Sequence, residues 1–206
     1  MSQKISRINN YIDTRFNQDV LYQHGAYVIN DEYLCSFNII NSDTAIVEYD
    51  NKIEIFEVID RFRFYTPHIC KFIDTQEKLI KGFKPLGIIE LGLSIIQPSQ
   101  FYASIDKIKA ISSFIKQPKD IIIQVGLING EYVCLDGHTR LAYAAQKGYI
   151  KVYGCLVDDT GDYIIDFVLE AKNRGIYSPF DLKVVSQEEY EIKWHQFCDE
   201  FFKNKQ

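Results

Sequence analysis

The first apolar positions of the chain, Ile5, Ile8, Ile12 and Phe16, recur every three or four residues and predict an amphipathic helix. From residue 26 to residue 83 the pattern turns β-rich. "TAIVEYDNKIEIF" reads as a hairpin turning at Asp50-Asn51, since Asp and Asn tolerate turn dihedrals. "VIDRFRFY" fits a helix or a strand, because a short apolar run does not distinguish them. "HICKFIDTQEKLIKGF" presents two strand-like arms around a polar turn at residues 74–77. Together these segments predict an N-terminal α+β module over residues 1–85. The stretch "GFKPLG" at residues 82–87 puts two Gly and a Pro between apolar runs and marks the boundary.

Beyond Ile88 strands and helices alternate. "GIIELGL" reads as a strand and "IIQPSQFY" as a loop. A helix opened by Ser104 and Asp106 carries Ile105, Ile108, Ile111, Phe114 and Ile115 and ends at Pro118. "DIIIQVGLI", an Asn-Gly turn and "EYVCLD" follow as two strands. "GHTRLAYAAQKG" is then a helix stopped at Gly148, and "YIKVYGCLVD" another strand. The last third is helical. One helix runs from Asp162 to Arg174, Ser178-Pro179 opens a short one, and the capping box "SQEE" at residues 186–189 opens the last. That final helix aligns Tyr190, Trp194, Phe197 and Phe201, a stripe suited to core packing.

The chemistry concentrates in "CLDGHTRLAYAAQKGY", residues 134–149, where a strand gives way to a helix. The first amides of a helix lack intrahelical partners, and the helix dipole adds partial positive charge there. Gly137 lets a group approach the backbone. Thr139 offers a hydroxyl, His138 a donor or a proton shuttle, and Arg140 a planar fork that matches phosphate oxygens. Residues 137–140 therefore form a candidate phosphate seat. The same residues also have a purely structural reading, with Asp136 as N-cap, Gly137 as a tight turn and Arg140 as a surface ion-pair partner.

Composition narrows the classes. Of 206 residues, 47% are hydrophobic and 25% charged, the balance of an ordinary soluble globular protein. No apolar run nears the ~20 residues that span a bilayer, and the N-terminus lacks the apolar core of a secretion signal, so cytoplasmic residence without a membrane partner is the expectation. Five scattered cysteines with no CxxC pair argue against a disulfide framework, and four dispersed histidines against a dedicated metal site. The net charge of −5 disfavours a general nucleic-acid binder. Yet residues 78–151 hold ten Lys or Arg against five Asp or Glu, a local excess that suits an anionic ligand.

The run "LSIIQPSQFYASIDKIKAISSFIKQPKDIIIQVGLINGEYVCLDGHTRLAYAAQKGYIKVYGCLVD" resembles the ParB/sulfiredoxin superfamily in its order of elements and its Asp-Gly-His-Thr-Arg box. The flanks "RFRFYTPHICKF" and "DDTGDYIIDF" resemble those of bacterial ParB-like proteins. The resemblance covers about residues 86–158. It implies an α+β fold with a mixed-sheet core over that range, and a helical extension over 159–206 packing on the core. Sulfiredoxins carry a Cys where His138 stands, and partition proteins carry a Gly-Glu-Arg-Arg box followed by a DNA-reading module, so neither activity matches. The free-serine kinases of the superfamily have the most similar box. That likeness implies ATP or ADP (or CTP), with Mg²⁺, a nucleotide seat at Gly137, His138, Thr139 and Arg140, and a small hydroxyl acceptor positioned by Gln97, Ser99 and Gln100. Asp136 and His138 are then the candidate catalytic groups. Those kinases also place a carboxylate near the first strand and loop. "QPSQFY" has none, and Glu90 and Asp106 only flank it. A non-catalytic nucleotide-binding or interaction module is the alternative, and a DNA-partitioning or nuclease role a third.

Overall fold

The isoleucines at the N-terminus form a strand rather than a helix. In the computed structural model, which describes residues 3–158 and 161–203, strand β1 (Ile5–Arg7) pairs antiparallel with β2 (Ala26–Ile29), Ile5 opposite Ile29 and Arg7 opposite Tyr27. Ile8 and Phe16 pack instead on Val20 and Leu21 of a short helix, α1 (Gln18–Tyr22), and Ile12 is 86% exposed. One helical face would have to send all four side chains the same way. Here Ile5 joins one cluster, Ile8 and Phe16 another and Ile12 neither, and strand pairing with a distant segment outweighs the marginal stability of an isolated helix.

Two compact units divide the chain, Met1–Leu86 and Gly87–Gln206. In the first, β3 (Tyr33–Ile39), β4 (Thr44–Tyr49), β5 (Lys71–Ile73) and β6 (Leu79–Gly82) complete a six-stranded sheet in sequential order. The hairpin expected at Asp50-Asn51 is absent. β4 runs parallel to β5, so the chain must cross over between them, and it does so through helix α2 (Ile55–Tyr65). Ile55, Val58, Ile59 and Phe62 recur at helical spacing on the buried side of α2, and the Phe62 ring stacks on Phe37 of β3 with centroids 4.3 Å apart. This settles "VIDRFRFY" as helix.

The second unit is built on a five-stranded mixed sheet in the order β7-β12-β10-β11-β8. Its strands are β7 (Ile88–Gly92), β8 (Ile96–Pro98), β10 (Ile122–Ile128), β11 (Glu131–Asp136) and β12 (Lys151–Leu156). β10 is antiparallel to β11 and parallel to β12, while β8 is parallel to β11. The segment expected as a loop, "IIQPSQFY", thus contains β8 and the start of β9 (Tyr102–Ser104). Helix α3 (Ile105–Ser112) opens on the Ser104 hydroxyl, which accepts from the Asp106 and Lys107 amides. Helix α4 (His138–Gln146) follows β11 directly, and α5 (Tyr163–Asn173) lays Ile164 and Val168 against Val133 of β11.

The boundary that the sequence places after residue 158 meets Asp159 and Thr160, which lie outside the described residues. The helices beyond it belong to the second unit. Strand β13 (Lys183–Val185), not anticipated, pairs parallel with β9. The last helix is not one regular rod. Helix α6 (Gln187–Tyr190) and helix α7 (Gln196–Lys203) are joined by a π-helical turn, Glu191–His195. Trp194 and Phe197 meet Phe101, each with centroids 5.0 Å away, and Phe201 meets Phe167 of α5 at 4.8 Å. The unit is therefore α+β with a mixed sheet. Among the described residues no helix is long and apolar enough to cross a membrane.

Candidate functional site

At the end of β11 the chain passes from strand to helix through a single residue. Gly137 has φ 105° and ψ 18°, and a Cβ there would lie 2.7 Å from Cγ2 of Ile123 on β10. Backbone conformation and space both demand glycine. The first α-helical bond of α4 runs from the Leu141 N–H to the Gly137 carbonyl at 3.0 Å, so the amides of residues 138–140 precede the helical ladder. Among the described residues no side chain caps them. Asp136 is thus not the N-cap. Its carboxylate instead pairs with Arg140 at 3.3 Å, with the Asp136 side chain 47% exposed and Arg140 24%. Arg140 also donates to the Ile122 carbonyl at the start of β10, so two partners orient the guanidinium beside the first turn. Thr139 occupies the same turn, partly exposed.

His138 has a different place from the one expected of a proton shuttle. It is 5% exposed, and its Nε2 accepts the Ser99 N–H at 3.1 Å. The imidazole therefore carries its proton on Nδ1. Ser99 Oγ lies 3.3 Å from Nε2 and donates to the Cys134 carbonyl at 2.7 Å. Burial depresses the His138 pKa to about 4. The Asp136 charge and a hydrogen bond with the Cys134 backbone oppose the shift, while the Arg140 charge adds to it. The ring is neutral at pH 7 and ties the end of β8 to the start of α4.

The three residues expected to position an acceptor are also engaged within the fold. Gln97 is buried, and its amide donates to the Pro98 and Ile176 carbonyls at 2.8 and 3.0 Å. Gln100 donates to the Tyr102 carbonyl and, at 3.1 Å, to the Tyr190 hydroxyl of α6. So the structure brings Ser99 to His138, sends Gln97 to the Ile176 turn and sends Gln100 to the C-terminal helix. Tyr190, whose ring lies 4.2 Å below Lys107 Nζ, was legible only as part of the aromatic stripe.

The flanking carboxylates stand apart. Glu90 lies on β7, at the sheet edge opposite β8, where Lys151 and Tyr153 bond to it at 2.7 and 3.0 Å and hold its carboxyl below the usual range. Asp106 opens α3 and pairs with Lys109 at 3.4 Å. Cys134, nearest thiol to the box, is fully buried, and burial pushes its pKa well up, which suppresses the thiolate. Among the described residues no three His, Cys, Asp or Glu side chains cluster in a way that could hold a metal ion.

No family model and no curated protein matches the chain. A solved structure, that of protein Atu1540 from Agrobacterium tumefaciens, is similar over 48% of this chain with a TM-score of 0.34 and 11% sequence identity. The chain spans 62% of the length of that protein.

Proposed function

We propose that this chain is a ParB/sulfiredoxin-like protein that binds a nucleoside phosphate, ATP, ADP or CTP, with the phosphates on residues 137–140. The observation that carries the reading is the Arg140 guanidinium. It is held by the Ile122 carbonyl and Asp136 beside a first helical turn whose amides no side chain caps among the described residues. Anchoring uses only part of the fork, since a guanidinium has five N–H donors. Gly137 supplies the backbone turn that starts α4 here, and the helix end adds positive potential. Titration of ATP, ADP and CTP by calorimetry, with and without Mg²⁺, tests it. Arg140→Ala should weaken binding by about 1.5–3 kcal/mol, roughly 10- to 150-fold, the worth of a charge-assisted contact. Equal affinity in the two proteins would remove Arg140 from the site.

The half-exposed Asp136 carboxylate favours a second, finer reading, phosphoryl transfer to a small hydroxyl acceptor such as free serine. With His138 buried and neutral, Asp136 is the group at the junction able to take the acceptor proton. The same carboxylate, with phosphate oxygens, has the donor chemistry for Mg²⁺, which would neutralise phosphate charge when bound. Asp136→Asn is expected to cut turnover about 10²-fold while the Ile122 carbonyl still orients Arg140 for nucleotide. A protein that binds nucleotide yet consumes none, with hydroxyl-bearing metabolites or water, is a binding module alone.

A further inference from the structure

Helix α2 buries one side and leaves the other covered with aromatic rings and charges. Phe64 is 73% exposed and Tyr65 38%, and with Glu57, Asp60 and Arg61 they line a shallow concavity along the outer face, while Phe56, 52% exposed, lies beside it with Lys81 Nζ 5.2 Å from its ring centroid. An exposed aromatic patch rimmed by charge is the usual mark of an interaction surface. The charges on this face are ordered. Glu57 lies in the first turn, Asp60 at the middle of the helix and Arg61 just past it. Glu57 and Arg61 stand one turn apart in the order that favours an intrahelical pair. Even so, neither forms an ion pair or hydrogen bond among the described residues. Asp60, in contrast, is held by Lys81 at 3.0 Å.

We infer that this face binds a second copy of the chain, with the two α2 helices packed antiparallel about a twofold axis at the level of residue 59. Antiparallel pairing sets the first turn of each helix, with Glu57, against the second half of the other, with Arg61. A twofold axis normal to the helix pair keeps flanking residues on their own side. It therefore places Glu57 of each copy opposite Arg61 of the partner copy, two equivalent ion pairs in one self-complementary contact. At the same level Phe56 enters between Asp60 and Phe64 of the facing helix and covers both exposed rings. Lys81 offsets the approach of the two Asp60 carboxylates. A parallel arrangement would bring equal levels together and so would not set Glu57 opposite Arg61. The surface is small, so the dimer forms in the micromolar range.

Light scattering after size exclusion at about 100 µM, where such an interface is populated, tests this. The wild-type chain should elute with about twice the 24.0 kDa of one copy, and Phe64→Asp with the mass of one. Glu57→Arg alone should also be monomeric, whereas the double reversal Glu57→Arg with Arg61→Glu should restore the dimer, because each copy again meets opposite charge. All changes are at exposed positions, and circular dichroism checks that each variant is folded. A monomeric wild type overturns the inference, as does a dimer indifferent to Phe64→Asp or a double reversal that remains monomeric.

Discussion

Gly137→Ala is expected to destabilise the second unit by about 3 kcal/mol and to lower its melting temperature by roughly 10 °C. Two independent costs add at this position. An L residue held at φ 105° is strained by about 1–2 kcal/mol, and a methyl group 2.7 Å from Ile123 Cγ2 forces β10 and α4 apart, an overpacking cost of about 1–3 kcal/mol. Gly148 separates the two. It also has positive φ, 69°, but nothing lies within 4 Å of where its Cβ would be. Gly148→Ala should therefore show the conformational cost alone, about 1 kcal/mol. The single tryptophan, Trp194, belongs to the second unit and packs on its core, so its fluorescence follows that unit through a thermal melt. Equal shifts for the two variants would show that Ile123 yields and that crowding contributes nothing. If nucleotide binds at residues 137–140, Gly137→Ala should weaken it even below the melting transition, because the methyl group displaces the first turn.

The second large effect is a loss of stability in mild acid. His138 titrates near 6.5 in an unfolded chain and near 4 when buried in the native one. Between those pH values the unfolded chain binds a proton that the folded chain does not, so stability rises with pH across that window. The contribution is complete above pH 6.5 and is lost as the pH falls to about 4, with a total of about 3 kcal/mol. By pH 5, before most carboxylates titrate, about 2 kcal/mol of it should be gone. Urea unfolding followed through Trp194 at pH 7 and pH 5 measures this. His138→Gln cannot acquire the proton, and its stability should change little over the same interval. A variant as acid-sensitive as wild type would place the titrating group elsewhere. The acid loss is also structural. A protonated Nε2 has no lone pair for the Ser99 N–H, so the clamp between β8 and α4 opens.

The junction was readable because its signals are local. A continuous apolar run ending at Leu135, a glycine, and an Ala-rich run with helical spacing specify strand, turn and helix within a dozen residues. The capping box at Ser186 and Glu189 was equally local and is present. Spacing misleads where it fits two outcomes. Ile5, Ile8, Ile12 and Phe16 satisfy a helical period, but β2 offers Ile5–Arg7 a full antiparallel register. "NKIEIF" alternates like a strand, yet the buried face of α2 continues through Val58, Ile59 and Phe62. Strands β8, β9 and β13 have only three residues each, too short to show a period at all.

What the sequence by itself determined is which chemistry stands at residues 136–140 and that a strand hands over to a helix there, since turn dihedrals and helical periodicity are properties of neighbours. The partner of each of those side chains was decided only by the tertiary structure. Ser99 meets His138 across 39 residues, Gln97 meets Ile176 across 79, and Gln100 meets Tyr190 across 90. Such pairings depend on the sheet order β12-β10-β11-β8 and on where α6 docks, neither of which leaves a periodic trace in the chain. The same contacts convert His138 from a titratable donor into a buried neutral strut, because desolvation is set by everything packed around a ring rather than by the residues beside it.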